Sequence, residues 1–242
     1  MDDKPNHLGT DELSARLDAI ERDIDTGRYR PGPWDAVIRL TKSQPDDARA
    51  AVAEDISRVS RKLHLRTARR TVPLAPALAI ELAATALGGM LLALAVKGDF
   101  NTAAIAAMII WVSTLQPLLK VAVGAMLGVG HEYGYLYGIE PRFKMKFGGY
   151  VGAPRWKRIA LHTSGMVGSP LGAILVAWIA GGTLQIARSV CRAVFWITLA
   201  INLISMVLAL LGVRRLGPLR LAEGSGGAAG LELREALGAS RR

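Results

Sequence analysis

The sequence predicts an all-α integral membrane protein, with about four transmembrane helices behind an N-terminal cytoplasmic helical region. Three observations carry that expectation. Of 242 residues, 51% are hydrophobic, and beyond residue 71 they fall in long blocks. Residues 1–71 hold 14 basic and 13 acidic side chains, dense in charge but nearly neutral, whereas the remainder holds 16 and 7. The basic residues of the second part lie between the apolar blocks, where a membrane protein places them to set its orientation and to meet anionic headgroups. The net charge of +10 therefore points to the lipid bilayer. Nucleic acid is not expected, because no basic run carries the interleaved aromatics that stack bases. A wholly soluble enzyme and a secreted disulfide scaffold are excluded, and Cys191, the single cysteine, can form neither an internal bridge nor a thiolate metal site. No signal-peptide core precedes residue 71, so the apolar blocks direct insertion. Arg and Ala usage fits a GC-rich bacterial genome.

Residues 1–71 read as a cytoplasmic amphipathic region. Leu13, Leu17, Ile20 and Ile24 recur at helical spacing in Asp11–Thr26, and Gly27 stops the helix. Pro31, Gly32 and Pro33 make a turn, and a short helix runs through Val37 and Leu40. A longer helix starts near Ser43, with Pro45, Asp46 and Asp47 in its first turn. It carries Val52, Ile56, Val59 and Leu63 on one side and ends among Arg66, Arg69 and Arg70.

Residues 72–213 read as a four-span membrane domain. Val72–Val96 is 25 residues with one charge, Glu81, against the ~20 a span needs. Lys97–Asn101 is a turn. Thr102–Gly138, 37 residues interrupted by Pro117 and Lys120, is roughly 55 Å as one helix. It crosses once, kinked at Pro117, or makes two short elements. Loop charge favours one crossing. Arg58, Arg61, Lys62, Arg66, Arg69 and Arg70 precede the first span, and Arg142, Lys144, Lys146, Arg155, Lys157 and Arg158 fill Ile139–His162. Both segments belong in the cytoplasm of a plasma (inner) membrane protein. Thr163–Leu184 then runs outward, Gln185–Arg192 turns, and Ala193–Val213 returns to Arg214, Arg215 and Arg220, placing both termini inside. Residues 214–242, with the run Gly224–Gly230, read as a flexible basic tail.

Ionisable side chains within a span are expensive and mark candidate sites. Glu81, His131 and Glu132 lie in the expected spans, and Asn202 joins them on the last. Counted from the cytoplasmic ends, Glu81 and His131 sit about 10–14 Å deep and Asn202 about 16 Å. Two readings fit: a functional polar or metal-binding cluster, or structural groups with His131 neutral and Asn202 joining helices. Lys120 is expected to snorkel towards the outer headgroups. Tyr133, Tyr135, Tyr137 and Tyr150 suit an interfacial aromatic belt.

The segment Gly130–Gly138 reads GHEYGYLYG. Phe147-Gly148-Gly149-Tyr150-Val151 follows, and then Ser164-Gly165 leading to Pro170. In order and spacing these pieces resemble the site-2 protease (M50-like) family of intramembrane zinc metalloproteases. The resemblance covers about 85 residues. It implies a His-Glu-x-x-His helix near the cytoplasmic end of a span, a short β-type cytoplasmic loop and a third ligand, an aspartate, on a later span. In such a helix two histidines four residues apart bind zinc, and the glutamate is the general base. This chain departs from the pattern. Tyr135 stands at the second histidine position, and a neutral phenol is a poor zinc ligand. No Asp or Glu occurs from Pro141 to Ala222, and Asn202-Leu203-Ile204 on the last span resembles the start of the acidic element without its acid. A rebuilt set of His131, His162 and Glu81 has acceptable donor types.

Three functions are open on this reading. The favoured one is a non-catalytic relative that binds or regulates another membrane protein, with no cofactor. The second is a divergent zinc metalloprotease using Glu132 as base and His131 as ligand. The third is a small structural or proton-coupled membrane protein.

Overall fold

The computed structural model describes residues 9–68, 70–137, 140–213, 215–216, 219–220 and 224–237. Arg69, Gly138, Ile139, Arg214 and the two chain ends, on all of which part of the sequence reading falls, lie outside the described residues.

The N-terminal helices form where the apolar spacing places them. In α1 (Thr10–Asp25) the buried residues are Leu13, Leu17, Ile20 and Ile24. Gly27, at φ +71°, ends it in the left-handed region that glycine adopts without strain. Next comes α2 (Pro33–Lys42), with proline in its first turn. The expected long helix is divided into α3 (Asp46–Ala51) and α4 (Ala53–Thr67), because Val52 leaves helical geometry at φ −98°, ψ 4° while burying its side chain. Arg58 and Lys62 on α4 pair with Glu21 on α1 at 2.9 and 2.7 Å.

Four helices are long and apolar enough to cross a membrane: α5 (Leu74–Gly98), α6 (Asn101–Leu127), α8 (Arg155–Ile179) and α9 (Gln185–Leu210). At 1.5 Å per residue each is about 38–40 Å long, ample for a hydrocarbon core of about 30 Å. Ile80, Met90, Trp196 and Ile201 among others are exposed along them, as lipid-facing side chains must be. The tightest pairing joins α6 and α8. Gly168 and Gly172, one turn apart, bring α8 against the backbone of α6 at Gln116 and Trp111, the close approach that small residues allow in membrane helices. The two short connections share one end of the bundle, where Ala187 N–H donates to Asn101 Oδ1 at 2.9 Å.

A three-stranded antiparallel sheet closes the other end: β1 (Thr71–Pro73), β2 (His131–Tyr137) and β3 (Glu140–Met145), in the order β1-β2-β3. Over Thr102–Gly138, where the sequence leaves one kinked helix and two elements both open, the structure has a helix followed by a strand. The helix stops at Leu127 because Gly128 turns left-handed at φ +79°. His131 through Tyr137 then leaves as a strand, with Thr71 opposite Tyr135 and Val72 opposite Gly134. Pro117 lies inside a single continuous helix. After β3 comes α7 (Phe147–Gly152), against which α4 packs. The Gly148 N–H donates to Ser57 Oγ at 2.9 Å, and any Cβ there would overlap the Ala53 carbonyl.

Two span boundaries move. The third starts at Arg155, eight residues before the expected Thr163, because buried Arg158 is paired inside the protein instead of solvated. The Gln185–Arg192 segment forms the first turns of α9, and the turn before it uses Gly181 at φ +56°. The C-terminal segment differs most. Beyond the two-residue strands β4 (Arg215–Leu216) and β5 (Leu219–Arg220), α10 (Ser225–Ala236) is a helix packed on α8 and α9. Its Ser225, Gly226, Gly227, Ala229, Gly230 and Glu232 are buried. Gly226 and Gly230 rest on the backbone carbonyls of Asn202 and Met206. A run of small residues that looks like a linker is therefore a packing face. The region before residue 71 is also joined to the bundle, since Leu13, Leu17, Val52, Ile56 and Val59 share one core with Val129, Tyr150, Val151 and Leu161.

Candidate functional site

A cavity of about 180 Å³ lies at the sheet end of the bundle, lined among others by Gln116, Lys120, His131, Arg142, His162 and Ser225. The end of α6 brings Lys120 and Gln116, the start of β2 brings His131, β3 brings Arg142, α8 brings His162 and α10 brings Ser225. Lys120 is seven residues from the sheet-end terminus of α6. It faces this cavity and not the opposite end of the bundle, contrary to the snorkelling expected from a 37-residue segment.

The structure brings some expected site residues together and separates others. His131 and His162 line the same cavity, and so does Tyr135, whose ring meets the His64 ring edge-on at 4.4 Å. Glu132 does not. The pairing with β3 shifts register between His131 and Tyr133, and at this irregularity Glu132 lines a separate hollow with Arg61 and Lys146. Its Oε2 is buried without a hydrogen bond among the described residues. Glu81 is buried on α5, also with an unpartnered Oε2, and is not part of the cavity wall. Asn202 is spent locally: its Nδ2 donates to the Thr198 carbonyl one turn back at 3.0 Å. Tyr133 and Tyr150 are buried and hydrogen-bonded instead of forming an interfacial belt.

This arrangement does not fit zinc. The helical face that presents residues i and i+4 together is absent, because His131 and Tyr135 stand on a strand. Among the described residues no three of His, Cys, Asp and Glu converge, and a catalytic zinc site needs three protein ligands. The imidazole of His131 is pushed down to about 4 by burial and by the nearby Lys120 cation, so it is neutral at pH 7.

The strongest polar assembly is one that the sequence reading passed over. Glu232 of α10 is paired with Lys42 of α2 at 2.7 Å and with Arg158 of α8 at 2.8 Å. It also accepts the Tyr150 hydroxyl hydrogen at 2.5 Å. Burial alone would raise the Glu232 carboxyl, but Lys42, Arg158 and these hydrogen bonds outweigh it and hold it at about 2. Arg158 also donates to the Ala153 carbonyl at 2.8 Å. Burial and then the Glu232 charge push the Tyr150 phenol well above its usual range. Since the single phenolic hydrogen of Tyr150 goes to Glu232, the 2.9 Å contact with His162 Nε2 must be donated by the imidazole. That assigns the tautomer, and His162 Nδ1 is left as a buried acceptor without a partner.

The assembly links four segments: α2, α7, α8 and α10. It can clamp them, but among the described residues it presents no nucleophile beside a base. The available signal was an acid within a small-residue helix, with Arg158 as the only basic residue of 155–158 that burial would force to pair. Comparison with known protein families, curated proteins and solved structures finds no match.

Proposed function

We propose that the chain is a non-catalytic membrane scaffold that binds or regulates another membrane protein, a degenerate relative of the site-2 proteases that has kept their order of elements without the metal. The observation that carries this reading is the separation of His131 and Glu132 into different hollows, with no group of three metal donors among the described residues. The polar groups of the bundle act as fasteners, and α10 fills the space between α8 and α9. Orientation follows from charge. Arg58, Arg61, Lys62, Arg142, Lys144 and Lys146 gather at the sheet end, which favours a plasma (inner) membrane protein with both termini in the cytoplasm. The shared core then makes the N-terminal helices a rigid cytoplasmic face of the membrane unit.

Metal analysis of the detergent-purified chain, after titration with zinc and desalting, tests the proposal. It expects no stoichiometric zinc and a membrane protein that co-purifies at fixed stoichiometry. Stoichiometric zinc lost in His131→Ala, or proton flux in liposomes lost in Glu132→Gln, refutes it.

A further inference from the structure

We propose that the cavity between α6, β3, α8 and α10 binds the phosphate group of an anionic ligand, with Lys120 and the N-terminus of α10 as its receptors. This goes beyond the scaffold reading, and either can fail without the other.

The two receptors are independent observations. The first is Lys120, an ammonium on a membrane-spanning helix that lines the cavity with no acid in ion-pair range among the described residues. A cation in that position is costly and calls for a counter-charge. Arg142, the other cation of the wall, is held by Glu140 at 2.7 Å. Among the described residues of the wall, Lys120 and Arg142 stand against the single carboxylate of Glu140.

The second is the start of α10. This 12-residue helix begins at Ser225, inside the protein and on the cavity wall, and no side chain caps its N-terminus. First-turn N–H groups have no partner within a helix, and together with the helix dipole they attract anions. Ser225 is 3% exposed. Its Oγ accepts from Gln116 Nε2 at 3.1 Å and donates to no acceptor among the described residues, which leaves a hydroxyl hydrogen for a ligand. His162 is 7% exposed and adds an unused Nδ1 acceptor to the same wall, a match for a hydroxyl on or beside the phosphate.

Size and place fit this ligand. One water needs roughly 10–15 Å³ of such space, so about 180 Å³ admits a phosphate with a substituent. A basic pocket between membrane helices, close to one end, is where phospholipid headgroups bind. A free phosphate or phosphate monoester offers the same chemistry from solution.

The test uses the full chain. Calorimetric titration with inorganic phosphate, at constant ionic strength against chloride, reads the soluble source. Native mass spectrometry and thermal stability in nanodiscs of phosphatidylcholine, with and without phosphatidylglycerol, read the lipid source. Binding in either arm is expected, weakened about tenfold or more in Lys120→Met and several-fold in Ser225→Ala. It should be retained in Lys120→Arg and in the far-end control Lys97→Met. Loss confined to the nanodisc arm identifies the headgroup, and loss in the phosphate arm identifies the soluble ligand. If Lys120→Met fails to fold, Ser225→Ala and the wild type decide. No binding in either arm, or binding unchanged in the folded variants, overturns the proposal.

Discussion

Replacing Glu232 by Gln keeps the side-chain shape but removes the charge on which Lys42, Arg158 and Tyr150 converge. The side chains of Glu232 and Arg158 are 3% and 2% exposed, so water cannot replace the lost partner. Two routes give the cost. The carboxyl falls from 4.5 to about 2 on folding, equivalent to about 3 kcal/mol. Removing one member of a buried ion pair costs about 3–5 kcal/mol. The expected loss is therefore about 3 kcal/mol, read by reversible unfolding of the detergent-purified protein in SDS, with faster amide exchange through α10. In an Arg158→Met background the same substitution should cost much less, since no buried guanidinium is left unpaired. A loss below about 1 kcal/mol, the scale of an exposed pair, with α10 still protected, would refute the clamp. The wild type should show the matching acid response. Stability from Glu232 is complete above pH 4.5 and is lost as pH falls through about 2.

Two further outcomes are expected. Gly226→Leu puts a branched side chain against the Asn202 carbonyl and should displace α10 at a cost of about 1–3 kcal/mol or more, seen as protease cleavage near residue 224. Unchanged resistance would contradict the packing. His131, held at about 4 against an ordinary 6.5, stays neutral in the fold while the unfolded chain takes up a proton first. Stability is therefore complete above pH 6.5 and declines between 6.5 and 4. His131→Gln should flatten that part of the pH profile, and an NMR titration placing His131 above pH 6 would remove its basis.

The spans were legible because membrane insertion depends on composition over about 20 residues, and no local detail can reverse it. The face of α1 was equally plain, since all four apolar residues at helical spacing are buried. What misled was local. HEYGYLY alternates its tyrosines with period two and follows Gly128 and Gly130, both strand signals. The His-Glu pair within it drew attention to a helical metal motif, and the 37-residue apolar length then seemed to need a kink. Glycines misled in the C-terminal segment. Gly226 and Gly230, four residues apart, are spaced like a helix-packing pair, but among neighbouring small residues they resemble a linker. The cavity itself could not be read from sequence. It is assembled from five elements spread over more than a hundred residues of sequence, and only rotation about each helix axis decides which side chains meet there.

The clamp also constrains biogenesis. Arg158 is translated 74 residues ahead of Glu232, and every span is made before α10. A nascent chain must therefore carry an uncompensated guanidinium while α8 and α9 are made. It is α10 that neutralises it, so locking of the bundle waits until synthesis has passed Glu232. Chains halted before residue 225 would display that charge to the quality-control proteases of the membrane.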